Sequence, residues 1–366
     1  MKKKNKKLKL NLNIFENKKA LITGHTGFKG SWLTLWLLKQ NAKILGISNK
    51  IITEPSNYNI LKKNKNLKSK FLDIKNYKKL SETIKNYKPD FIFHFAAQSL
   101  VKKSYNNPRE TFLTNSIGTM NILDSLRSIK RKCVVILITS DKSYKNLEIK
   151  RGYKETDLLG GIDPYSASKA SAELIIQSYI NSYFRGENNK ILICVGRAGN
   201  VIGGGDWSQN RLIPDCVKFW SKNQKVLIRN PRSTRPWQHV LEALRGYLFL
   251  ASNLYHDKKL HGEVFNFGPN HKKNYSVLDV IKIFQKKWKS ASWKIENNKD
   301  FYESNLLKLN SNKAKKILKY SNILSFHKTV SLTAEWYNAY YEKKVNMYDY
   351  SIDQIKKFEN LVKSKK

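Results

Sequence analysis

KKALITGHTGFKGSWLTLWLL, residues 18–38, reads as a buried strand, a glycine-rich turn and the opening of a helix. KKALITG (18–24) is short and barely alternates, as a strand covered on both faces does. Gly24, Gly27 and Gly30 follow at G-x-x-G-x-x-G spacing. A turn without Cβ atoms lets a pyrophosphate approach the N–H groups at the start of the next helix, here SWLTLWLL. A glycine triplet alone is weak evidence, but between a strand and a helix it marks a dinucleotide cradle. Gly24, Thr26, Gly27, Phe28 and Gly30 are its candidate contacts.

The same rhythm continues outward. AKILGIS (42–48), DFIFHFAA (90–97), CVVILITS (133–140) and ILICVGRAG (191–199) are further buried strands. Helical stretches fall at 27–40, 76–87, 107–128 and 163–184. This β-α alternation predicts an α/β fold, a doubly wound parallel Rossmann-type sheet with a smaller C-terminal substrate-binding lobe. The expected division is a basic extension (1–16), a dinucleotide-binding domain (17–200), a lobe (201–236 and 268–345) and a basic tail (346–366). The helical stretch 237–254 and the strand GEVFNFG (262–268) are expected to return to the main sheet. Both Lys-rich ends, 1–16 and 343–366, are expected to be mobile.

Composition narrows the class. The 366 residues carry 69 Lys+Arg against 28 Asp+Glu, a formal charge of +41. The lysines are spread over almost the whole chain, which reads as a solvated surface rather than a nucleic-acid stripe. No stretch has the roughly 20 apolar residues of a membrane span, and the start lacks the apolar core of a secretion signal. Cys133, Cys194 and Cys216 cannot all pair, and two adjoin buried strands, so reduced thiols in the cytoplasm are expected. None of the seven histidines has a partner at metal-ligand spacing, so no metal is expected. His94 reads as a packed core residue.

The chemistry concentrates near two strand ends. Tyr165 and Lys169 form Y-x-x-x-K, one helical turn apart on one face. A lysine beside a phenol lowers its pKa towards that of a usable base. TSDK (139–142) stands at the carboxyl end of the preceding strand, placing Ser140 to bond a substrate hydroxyl and poise Tyr165. Asp141 and Lys142 sit where further proton transfers would occur. Upstream, Ala96 and Ala97 in HFAAQ lie at another strand's carboxyl edge, where cofactors bind. Asp73, ending KFLDI, either accepts from an adenine amino group or caps the helix near Asn76. Trp207 and Trp237 either pack the small lobe or touch substrate.

GHTGFKGSWL, TSDKSY, DPYSASKASAELI, RAGNVIGGGDW, RLIPDCV and RNPRSTRPWQHVLEAL resemble the CDP-glucose 4,6-dehydratases, a family of the extended short-chain dehydrogenases/reductases. The resemblance spans about residues 18–340. It implies an enzyme that dehydrates a nucleotide-linked hexose by internal hydride transfer through bound NAD(P), working as a homodimer built on the helices 107–128 and 163–184. By the same likeness Thr139, Ser140, Asp141, Lys142, Tyr165 and Lys169 line the active site, and Asn200, Arg211 and Arg235 hold the diphosphate. Asn115, in TNSIGTMN, matches an asparagine that supports the catalytic helix. Asp141 matches the acid for the C6 hydroxyl. Lys142 stands where related dTDP-glucose enzymes carry glutamate, which makes it the leading candidate for the C5 base. One departure concerns the cofactor: ISNKIITEP (47–55) puts Lys50 where the family has a ribose-binding aspartate. A carboxylate there favours NAD, whereas a cation tolerates the phosphate of NADP. An epimerase would need no C5/C6 shuttle, and a regulator without turnover would need no intact Ser140–Tyr165–Lys169 set.

Overall fold

In the computed structural model, residues 10–61, 63–228, 230–269, 274–288, 290–295, 307–343 and 345–364 are described. Strands β1 (Lys19–Thr23), β2 (Lys43–Ser48), β3 (Leu67–Phe71), β4 (Phe91–His94), β5 (Cys133–Ser140) and β6 (Ile191–Ala198) form one sheet. The intervening short strands are β7 (Val201–Ile202), β8 (Val226–Ile228), β9 (Thr234–Arg235) and β10 (Gln238–His239). Strand β11 (Val264–Phe267) then pairs with β6 and completes a seven-stranded order β11-β6-β5-β4-β1-β2-β3, parallel throughout. The order reverses between β1 and β4, and in such sheets the ligand crevice opens there, beyond the carboxyl ends.

Side chains alternate across each strand. Ala20, Ile22, Phe93 and Ile136 face one core, which contains helices α1 (Phe28–Lys39) and α8 (Val240–His256). Leu21, Ile92, Val135 and Leu137 face a second core, filled from α2 (Tyr77–Tyr87), α5 (Gly118–Leu126) and α6 (Pro164–Tyr183). Burial on both faces explains why these strands read as unbroken apolar runs. Strands β12 (Tyr275–Ser276) and β13 (Trp293–Ile295) pair with β9 and β8, beside α7 (Leu212–Trp220), α9 (Val277–Gln285) and α10 (Phe326–Glu342).

Three sequence expectations are corrected. The stretch 107–128 is not one helix. It runs as α4 (Pro108–Phe112), a π-helical turn (Leu113–Ile117) and α5, after a short α3 (Val101–Asn106). The basic tail is helical from Met347 to Ser364 (α11), and Ile355 and Phe358 on it are fully buried. Phe358 meets Trp36 of α1 edge-on at 5.9 Å, and Glu359 accepts from Trp36 Nε1 at 2.8 Å and Lys39 Nζ at 2.7 Å. At the other end, Phe15 is wholly buried in a 3-10 turn (Leu12–Phe15) that stacks under β4 against Phe91. Residues 1–9 of the basic extension lie outside the described residues.

Candidate active site

The cradle is a tight backbone junction. Gly24 adopts φ 74°, and a Cβ there would stand 2.8 Å from Ala96 N. A Cβ on Gly30 would lie 2.1 Å from Gly24 O, so the turn closes only without one. Gly27 precedes α1 with no side-chain cap, leaving the helix's first N–H groups and its positive dipole end to suit a diphosphate. Thr26 bonds across to the end of β2, through its N–H to Ser48 Oγ (3.3 Å) and its hydroxyl to Lys50 O (2.8 Å). Lys50 itself is exposed, and Phe28 is half-buried against the core. Asp73 does not cap α2: Asn76 accepts from Lys79 N, while Asp73 accepts from Lys75 N at 2.9 Å. Ala96 and Ala97 are half-buried just past β4, with Ala96 N donating to Thr23 Oγ1.

The π-helical turn aims Asn115 inward. Its Oδ1 accepts from Gln98 N (2.8 Å), and its Nδ2 donates to Gln98 O (3.0 Å) and Ser168 Oγ (2.8 Å). One amide thus ties the chain after β4 to the N-terminal turns of α6. An extra residue in a helical turn re-aims a side chain in this way, and such turns gather at functional sites.

Helix α6 opens with Pro164 at its first turn and Asp163 as cap, its carboxylate accepting from Ser166 N at 2.9 Å. Tyr165 and Lys169 are both buried beside the end of β5. Burial pushes the Tyr165 phenol up to about 12. The main pulls in the other direction are a hydrogen bond with Ser140 and the Arg211 charge. Lys169 is itself pushed down by burial to about 8, against the opposing pull of the Glu173 carboxylate. Ser140 Oγ donates to Asp141 Oδ1 at 2.9 Å. Burial holds the Asp141 carboxyl above its ordinary range, against the charges of Lys142 and Lys29. Lys142 is half-buried.

The expected substrate residues divide. Asp141 Oδ2 lies so close to Gly199 that a Cβ there would approach it to 2.7 Å, with Pro236 on the other side at 3.6 Å. Asn200, which is exposed, and Arg235, which is half-buried, are the chain neighbours of Gly199 and Pro236 and so lie near the end of β5. Arg211, just before α7, pairs with Asp206 at 3.1 Å and acts electrostatically on Tyr165. The Thr139 hydroxyl is engaged within the protein, donating to the buried Glu173 at 2.6 Å. Trp207 packs against Trp336 and Tyr340, and Trp237 is buried with its N–H on Tyr275 O. Two residues of the glycine-rich turn escaped the sequence reading. His25 is buried between Ser48 and Ser69, with a pKa lowered by burial to about 4. Lys29 is lowered to about 8 by burial and by Arg211 and Lys169. Lysine in a motif read for its glycines was the signal available.

Comparisons with known proteins agree with the fold. The family model described as GDP-mannose 4,6 dehydratase matches residues 21–333. The chain is 40% identical over 332 residues to the CDP-glucose 4,6-dehydratase of Salmonella typhimurium, covering 90% of this chain and 92% of that enzyme. Among solved structures, the epimerase Mth375 of Methanothermobacter thermautotrophicus superposes with a TM-score of 0.78 at 23% identity, covering 90% and 95% of the two chains. The Streptomyces venezuelae dTDP-glucose 4,6-dehydratase DesIV, with NAD and TYD bound, gives 0.75 at 21% identity over 88% and 99%.

Proposed function

The chain belongs to the GDP-mannose 4,6 dehydratase family, and we propose that it converts CDP-glucose to CDP-4-keto-6-deoxyglucose and water using bound NAD. The observation that carries this reading is the run Tyr165–Ser140–Asp141, in which a phenol and a buried carboxyl share one serine hydroxyl. An epimerase has no use for the carboxyl, because it never expels the C6 hydroxyl. The 40% identity to the Salmonella enzyme supports CDP-glucose over other nucleotide sugars.

NAD would lie with its pyrophosphate over Gly24, Gly27 and Gly30 and its adenosine towards Ser48 and Lys50. When bound, it supplies a cationic ring that takes hydride from C4 and returns it to C6. NAD is the cofactor named in the DesIV complex. The exposed Lys50, with no carboxylate in its place, leaves NADP tolerated. Tyr165 removes the O4 proton, with Ser140 bonding the same hydroxyl and Lys169 holding a positive charge one turn away. The 4-ketone then acidifies the C5 hydrogen. Lys142 takes that proton, and Asp141, whose carboxyl burial holds above its ordinary range, delivers one to the departing C6 oxygen. Arg211 and Arg235 neutralise the diphosphate through planar, forked donors.

The protein is read as a cytoplasmic homodimer. Cys133, Cys194 and Cys216 are buried and unpaired, and among the described residues no helix is long and apolar enough to cross a membrane. Phe112, Ile117 and Leu174 are exposed on the helices expected to form the dimer, and light scattering tests this. Activity is tested by incubation with CDP-glucose, with dTDP-glucose, GDP-mannose and UDP-glucose as competitors. The alkaline absorbance of a 4-keto-6-deoxy sugar should appear with CDP-glucose first. Faster product formation from another nucleotide would reassign the substrate.

A further inference from the structure

Glu173 lies on α6 one turn beyond Lys169 and is 1% exposed. A carboxylate so buried is costly unless its oxygens are occupied. Here they are. Arg197 donates through Nε to Oε1 at 2.7 Å and through Nη2 to Oε2, and Thr139 Oγ1 donates to Oε1 at 2.6 Å. Thr139 and Arg197 are register partners on β5 and β6, so one helical side chain grips both strands at one level. Arg197 also donates to Tyr144 OH, which in turn donates to Asn266 Oδ1 on β11 at 2.9 Å.

The placement of these bonds matters more than their number. Thr139 immediately precedes Ser140 and Asp141, and Tyr144 closes the 3-10 turn Asp141–Ser143 that carries Lys142. The short segment bearing the proposed acid and base is therefore held at both ends by groups that converge on Glu173. On the other side, Glu173 is the anion acting on the Lys169 ammonium, opposing its burial. His94 on β4 and Lys29 on α1 also feel the Lys169 charge, and neither supplies an anion there. A pair serving only the fold could sit anywhere along the sheet, whereas this one spans the interval between base and acid.

We propose that Glu173 is a positioning residue that locks the Ser140–Lys142 segment and the Lys169 ammonium into one frame beneath the crevice. The inference rests on the reading of Tyr165 and Lys169 as catalytic. It concerns a residue that meets neither substrate nor cofactor.

The test compares Glu173→Gln, Glu173→Asp and Thr139→Val with the parent enzyme. In ligand-free protein, competitive acylation by acetic anhydride, read by peptide mass spectrometry, follows the protonation of Lys169 across pH. Glu173→Gln should lower its midpoint by about one unit, because an opposite charge nearby is worth at least that. With CDP-glucose, kcat should fall on the order of tenfold to a hundredfold at near-normal KM, as expected for misplaced but intact groups. The alkaline limb of kcat should move to lower pH with Lys169. Glu173→Asp should restore part of both, and Thr139→Val should lower kcat without moving the limb. An unmoved Lys169 midpoint in folded Glu173→Gln, or parental kcat in that variant, overturns the proposal. If Arg197, left unpaired, prevents folding, Glu173→Gln/Arg197→Met removes both charges and is read by the same criteria. The acylation measurement needs no substrate. A parent enzyme inactive on every nucleotide sugar would count against the proposed reaction alone, while the Lys169 midpoint would still decide the role of Glu173.

Discussion

Ser140 donates to Asp141 Oδ1 at 2.9 Å while its hydroxyl also meets the Tyr165 phenol, so the proposed base and the proposed acid are joined through one oxygen. The link divides the reaction into halves that substitution can separate. Asp141→Asn keeps the shape and can donate a hydrogen bond, but it cannot hand over a proton. Oxidation at C4 should proceed and elimination at C6 should stall. On mixing with CDP-glucose, the near-ultraviolet band of reduced nicotinamide should build up and decay slowly. Product at the parental rate would show that another group is the acid.

Tyr165→Phe removes the proposed base and leaves the cradle at Gly24, Gly27 and Gly30 untouched. Turnover should fall on the order of 10²–10⁴-fold, the usual worth of a positioned acid–base group, with cofactor affinity nearly intact. Fluorescence titration with NAD, run beside the assay, separates the two effects. Near-normal turnover would remove Tyr165 from the mechanism.

His25, His94 and His239 are buried, with pKa values lowered by burial to about 4, 3 and 3. In the unfolded chain they protonate near 6.5. Stability is therefore fully present above about pH 6.5 and is lost as pH falls towards the folded values, because the unfolded chain takes up protons that the folded one refuses. Each contributes about 1.4 kcal/mol per pH unit within that window. His239 caps α8, with Nδ1 accepting from Leu241 N, and asparagine can replace that acceptor. Urea midpoints at about pH 7 and about pH 5 should converge in His239→Asn relative to the parent.

The docked C-terminal helix gives a stability prediction. Phe358→Ala should destabilise the protein by about 3 kcal/mol, by opening a cavity against Trp36. Denaturant titration checks this. An unchanged midpoint would mean that α11 comes away before the domain unfolds.

Much of this arrangement was legible because the residues carrying it have few other uses. Strands covered on both faces leave continuous apolar runs, and Gly24 and Gly30 stand where no Cβ fits. The parts that escaped depend on partners distant in sequence. Met347, Ser351, Ile355 and Phe358 are buried at helical spacing, but surrounding lysines and a polar Ser351 hid the face that docks on α1. No proline marks the π-helical turn at Leu113–Ile117, and the period slips there by one residue. Glu173 reads as a solvent-facing helical glutamate until folding brings Arg197 and Thr139 to it. The same contact occupies the Thr139 hydroxyl.

In the proposed reaction, hydride leaves C4 and returns to C6 of one sugar within one active site. CDP-glucose carrying deuterium at C4 tests it directly, with the product examined by NMR and mass spectrometry. The expected result is a 4-keto-6-deoxy product with the deuterium in its C6 methyl group and a solvent proton at C5. Deuterium retained at C4 in a product that keeps its C6 hydroxyl would mark an epimerase and overturn the proposed reaction, as would a deoxy product whose methyl group carries no label.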